Sequence, residues 1–158
     1  MPAELTRELL VESLSRTLEE AAFVFVEETT ADPEVEGTVI EARLTFSGPK
    51  EGELVLACHE DLAATLAANL LGEDEGGAAV VGDDEDALGE MLNMIAGSLV
   101  VSLFGHETSC RLGLPRVRSL SAVEHEKSLG QADAVARLLE EEGRRIDLAA
   151  RFVRGGAA

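Results

Sequence analysis

Between Asp84 and Phe104 the chain carries one pattern that limits what it can become. Leu88, Leu92, Ile95, Leu99 and Leu103 recur at three- and four-residue intervals, with Met91 at their edge. At about 100° per residue these side chains fall in one stripe, which predicts a long amphipathic helix. Gly105 follows as a stop, and the run Asp83-Asp84-Glu85-Asp86 suits the positive end of a helix dipole. An apolar stripe of this kind has to be laid on a second layer.

The segments around it read as that second layer. Thr38 to Phe46 alternates, Ile40, Ala42, Leu44 and Phe46 against Val39, Glu41, Arg43 and Thr45, which predicts a half-buried strand. Ser47 to Gly52 is a turn and Glu53 to Cys58 a second strand, so the pair makes a hairpin. Two more strands are expected at Thr108 to Leu114 and Val117 to Val123, split by Pro115, and a last hairpin at Ala134 to Leu139 and Arg144 to Val153. Ahead of these, Leu10, Leu14, Leu18, Ala21 and Phe25 predict a helix over Ala3 to Glu27. Its end, Phe23 to Val26, fits the start of a strand equally well, and Asp32-Pro33 breaks the pattern. Leu62, Leu66 and Leu70 place a short helix at Glu60 to Leu71 with Gly72 as its stop, before a glycine-rich acidic loop from Glu73 to Gly82. The order α-β-β-α-α-β-β-β-β describes an α+β fold, an antiparallel sheet packed with three helices, in one domain over residues 1–158.

Charge excludes several partners. The chain has 31 acidic and 13 basic residues, a net −18, and the basic ones are scattered. Nucleic acid needs clustered Lys and Arg, and an anionic membrane surface repels such a chain. The longest uncharged run, Met91 to Gly105, is shorter than a membrane span and is broken by Asn93, Ser98 and Ser102. Glu4, Arg7 and Glu8 rule out a secretory signal, so a bacterial-type cytoplasmic location is expected. Cys58 and Cys110 are far apart, and His59, His106 and His125 are dispersed, so no metal site is expected. Most of the acidic excess reads as solubility, and the partners it favours are proteins with a basic or lysine-bearing patch.

The polar side of the long helix holds the candidate site. Asp86, Glu90, Asn93 and Gly97 sit within about 60° of each other, opposite the leucines. Glu90 and Asn93 are i, i+3 neighbours, so their side chains rise together. A solvated helix face holding polar residues is the ordinary explanation. Against it, Gly89 and Gly97 each cost about 1 kcal/mol relative to alanine, and asparagine is a poor mid-helix choice. Gly97 removes a side chain where a partner backbone can approach.

Written out, Asp86-x-x-x-Glu90-x-x-Asn93-x-x-x-Gly97 resembles the signature helix of the CheC/CheX/FliY chemotaxis phosphatases. The hairpin, the helix ending Leu70-Leu71-Gly72 and the Leu114-Pro115 step agree with that resemblance over most of the chain. The first helix has no second copy of the motif: Glu19 is followed by Ala22 and Glu20 by Phe23. A single motif is most similar to the CheX-like members. The resemblance implies hydrolysis of the aspartyl phosphate on a phosphorylated CheY-like response-regulator receiver. It implies catalytic roles for Glu90, pairing with the receiver's lysine, and Asn93, holding the attacking water. Asp86, Met94 and Gly97 would contact the partner. It implies no cofactor of the chain's own, Mg²⁺ being supplied by the receiver, and a homodimer joined through strand pairing. The rival reading is a non-catalytic adaptor on the same fold.

Overall fold

The computed structural model describes residues 5–28, 37–71, 83–106 and 109–152. Helix α1 spans Arg7–Ala22, shorter at both ends than its apolar periodicity suggests. Thr6 caps it, its hydroxyl accepting from the Leu9 N–H at 3.2 Å. At the other end Phe23 takes a left-handed conformation, φ 55°, and the Phe23 and Val24 N–H groups donate to the Glu19 and Leu18 carbonyls. That closure satisfies the last carbonyls and turns the chain out of the helix. The strand alternative is therefore the one realised beyond Phe25, as β1 (Val26–Glu28).

The two expected hairpins form: β2 (Thr38–Ser47) with β3 (Gly52–His59), and β6 (Ala134–Glu140) with β7 (Arg145–Phe152). Strand β3 also pairs with β7, which joins the hairpins into one sheet, and β1 adds to β6 at the edge. Beyond β2 lie β4 (Arg111–Leu112) and β5 (Arg116–Ser121), both paired to it. The resulting seven-stranded sheet runs β1-β6-β7-β3-β2-β4, with β5 also on β2, and every pairing is antiparallel. Strand β4 is shorter than the Thr108 to Leu114 expected: beyond the Gly113 N–H, which donates to the Thr45 carbonyl, Pro115 has no N–H to continue the ladder, and Thr108 lies outside the described residues.

On one face of the sheet lie α1, α2 (Glu60–Leu71) and α3 (Asp83–Phe104). Leu10, Leu14 and Leu18 of α1, Leu62 and Leu66 of α2, and Leu88, Leu92, Ile95 and Leu99 of α3 meet Ala42, Leu44, Leu56, Leu138 and Leu148 in one core. Helix α3 is long and apolar enough to cross a membrane by length and composition, but its apolar stripe is spent on this sheet. The Asp32-Pro33 break, the Gly72 stop and the Glu73 to Gly82 loop lie outside the described residues.

The opposite face corrects the sequence reading. A fourth helix, α4 (Ala122–Leu129), crosses it, and the strand expected to run to Val123 stops at Ser121. Ser121 is the N-cap of a capping box: its hydroxyl accepts from the Glu124 N–H at 3.2 Å, and the Glu124 carboxylate accepts from the Ser121 N–H at 3.4 Å. Leu129 of α4 packs on Val55 and Ala149. Strand β2, expected to be wet on one side, is consequently buried on both at Val39 and Glu41.

Glu41 and His125, both fully buried, belong to a charged cluster beneath α4. His125 Nε2 lies 2.8 Å from Asp147 Oδ2, and Arg145 donates to the same carboxylate from Nε at 3.0 Å and Nη2 at 2.8 Å. Arg145 also reaches Glu126. Glu41 Oε1 accepts from Arg43 at 3.0 Å and Arg118 at 3.1 Å, while its Oε2 stands 4.0 Å from His125 Nδ1. Burial alone would raise the Glu41 pKa, yet His125, Arg43 and Arg118 around it hold it down to about 2. Burial likewise opposes the charge on His125, and Asp147 and Glu41 outweigh it, so its pKa is raised.

Candidate functional site on helix α3

The two sides of α3 divide as the periodicity predicts. Leu88, Met91, Leu92, Ile95 and Ala96 have no exposed surface, and Leu99 and Leu103 almost none. Asp86, Glu90 and Asn93 are exposed, and Met94 and Gly97 half-buried along the same side. The helix ends at Gly105, whose φ of +83° suits glycine and whose N–H donates to the Val101 carbonyl at 2.8 Å. All five candidate residues therefore lie on one continuous surface of one rigid, sheet-backed element.

The two helix glycines prove to have different causes. Gly89 is buried, and a Cβ there would lie 3.4 Å from Pro115 Cβ and from Val117 Cγ2. It lets the segment leading into β5 settle against α3. A Cβ on Gly97 would meet nothing within 4 Å. No packing among the described residues asks for that glycine, and its lack of a side chain leaves the exposed face flat one turn beyond Asn93.

Chemically the face is simple. Among the described residues the side chains of Glu90 and Asn93 have no hydrogen-bonding or ionic partner, so an exposed carboxylate and an exposed amide stand one turn apart. A carboxylate there can take a cation from a partner, and an amide can both donate to and accept from a water. Neither is a strong nucleophile, and among the described residues no group of three or more His, Cys, Asp or Glu is placed to hold a metal ion. A small pocket does exist, bordered by Arg43, Val55, Leu129 and Ala149, but it lies under α4 on the far side of the sheet. An open helix face suits a macromolecular partner better than a small molecule, which needs enclosure.

One residue near α3 has an exposure the sequence does not reveal. Leu114 is 89% exposed and directly precedes Pro115, the residue lodged against Gly89. A leucine between Gly113 and Pro115 gives no sign in the sequence of whether it is core or surface.

Known proteins share this architecture. The family model described as "Chemotaxis phosphatase CheX" matches residues 40–138. No curated protein matches the chain. Among solved structures, the chemotaxis protein CheX from Desulfovibrio desulfuricans is similar, with a TM-score of 0.68, 15% identity, and coverage of 92% of this chain and 97% of that one. CheX from Vibrio vulnificus gives a TM-score of 0.69 at 19% identity, covering 92% of this chain and 95% of its own. A chain solved in a CheX-CheY-BeF3-Mg complex from Borrelia burgdorferi gives 0.64 at 14% identity, covering 92% and 96%.

Proposed function

The chain belongs to the CheX family of chemotaxis phosphatases, and we propose that it hydrolyses the aspartyl phosphate of a CheY-like receiver domain. The observation that carries this reading is the Glu90 and Asn93 pair, without a side-chain partner among the described residues and exposed at i, i+3 spacing on a helix whose other side is core. The relative from Borrelia, solved with CheY, BeF3 and Mg, supports the class of partner.

In the reaction, a water oxygen attacks phosphorus opposite the aspartyl oxygen. The P–O bond to the aspartate breaks, the carboxylate leaves with the bonding pair, and the water's protons pass to phosphate and solvent. Placing the water is most of the task, because the barrier of phosphoryl transfer yields chiefly to positioning and electrostatics. Asn93 would hold that water through its side-chain amide, accepting from one O–H, and need not take a proton. Glu90 would pair with the receiver's active-site lysine and fix the helix over the phosphoryl group. Asp86, Met94 and the flat surface at Gly97 would meet the receiver around them. Mg²⁺, held by the receiver's own carboxylates, would screen the phosphoryl charge, and the chain has no part in binding it.

Mixing the protein with phosphorylated receivers and following loss of the phosphoryl group tests the reading. Hydrolysis well above the receiver's own rate is expected, abolished by chelating Mg²⁺ while the unfolding midpoint of this chain stays where it was. Tight binding without acceleration would replace the phosphatase with an adaptor.

We also propose a homodimer joined through strand pairing. Among the described residues β1 and β5 each pair with one strand, leaving a backbone edge free. Light scattering should report twice the chain mass at micromolar concentration, and a monomer there would defeat this assembly.

A further inference from the structure

Leu114 stands in water while the backbone around it is held from both sides. The Gly113 N–H donates to the Thr45 carbonyl at 2.7 Å, and a Cβ on Gly113 would come within 2.7 Å of Thr45 Oγ1, so the chain runs hard against β2 there. Pro115, with its fixed φ, then lodges beside Gly89. On α3, Gly89 and Asn93 are i, i+4 and about 40° apart around the axis, so this corner borders the Asn93 edge of the candidate face. The Glu90 edge carries Met94 and, one turn past Gly97, Val101, itself 37% exposed.

Resting on the phosphatase reading of Glu90 and Asn93, we propose that Leu114 is an apolar docking anchor for the same phosphorylated receiver. It would enter an apolar recess next to the phosphoryl site and set affinity and selectivity rather than the rate of the chemical step. Single exposed leucines are ordinary on protein surfaces; what distinguishes this one is its immobilised backbone and its place beside Asn93. A side chain presented on a held corner has less freedom to lose on docking than one on a loose loop. The acidic residues of α3 attract many basic surfaces alike, so they favour fast encounter, whereas an apolar anchor that must find its recess discriminates between receivers.

The test compares Leu114→Ser with the parent on a phosphorylated CheY-like receiver that the parent dephosphorylates. KM should rise roughly tenfold or more, with kcat within about twofold and the unfolding midpoint unmoved. Val123→Ser is the control: Val123 is 66% exposed on α4, across the sheet, and its loss should change neither constant. An unchanged KM in Leu114→Ser, or a fall in kcat alone, overturns the anchor and leaves the phosphatase standing. A parent inactive on every receiver removes the phosphatase reading, and the anchor with it.

Discussion

Replacing Asn93 with alanine is expected to slow receiver dephosphorylation by about a hundredfold or more while the protein stays folded. The side chain is exposed, and alanine forms helix better than asparagine, so stability should hold or rise slightly. Receiver binding should persist, because the amide is asked to hold a water and not to carry the interface. Glu90→Ala should behave differently, losing affinity and rate together, since the proposed pairing with the receiver's lysine would serve docking and chemistry at once. Single-turnover loss of the phosphoryl group, measured beside receiver binding, separates the two variants. Full acceleration by Asn93→Ala would end the catalytic assignment and leave an adaptor in its place.

The second large effect is on stability and comes from the other face of the sheet. Asp147→Ala should cost roughly 3 to 5 kcal/mol, the range for removing one partner of a buried ion pair. Asp147 and His125 are almost completely inaccessible, and the lost carboxylate holds both His125 and Arg145. The cluster also predicts a pH dependence. Glu41, held down to about 2 from an ordinary 4.5, contributes fully above 4.5 and loses that contribution as pH falls toward 2. His125, raised above its ordinary 6.5, contributes fully below 6.5 and loses its share as pH rises through the raised value. The pair together stabilise most between about 4.5 and 6.5. Denaturant unfolding of the parent and His125→Gln should show a gap that narrows as pH climbs above 6.5; a gap that widens there would contradict the assignment of a charged His125.

Local periodicity carried a great deal. The stripe of Leu88, Leu92, Ile95 and Leu99 was enough to place Glu90 and Asn93 on the outside of one helix, because helical geometry alone relates residues three and four apart. The alternation in β2 likewise assigned that strand and the face it turns to the helical core, and the turns after it and after β6 marked the two hairpins. The motif Asp86 to Gly97 pointed to the family that the match over residues 40–138 bears out. The ends of elements were harder. Helix α1 stops at Phe23 through a backbone closure that leaves no mark in the side-chain pattern. Strand β5 stops at Ser121 because Ser121 and Glu124 cap a helix, a three-residue spacing outweighed in the sequence by the apolar residues around it.

Other properties depended on what the chain meets in space. Gly89 and Gly97 look alike in the sequence, yet one is filled by Pro115 and the other opens on solvent. Glu41, on what should be the wet side of a half-buried strand, lies under α4 against His125, far along the chain. Leu114 is an apolar residue like any in the core, yet it is exposed between Gly113, bonded to Thr45, and Pro115, set beside Gly89. Periodicity reports which residues share a side of an element because that relation is set by the backbone within a turn or two. Which side is covered, and by what, is set by contacts between segments far apart in the chain, and those exist only once the layers have packed.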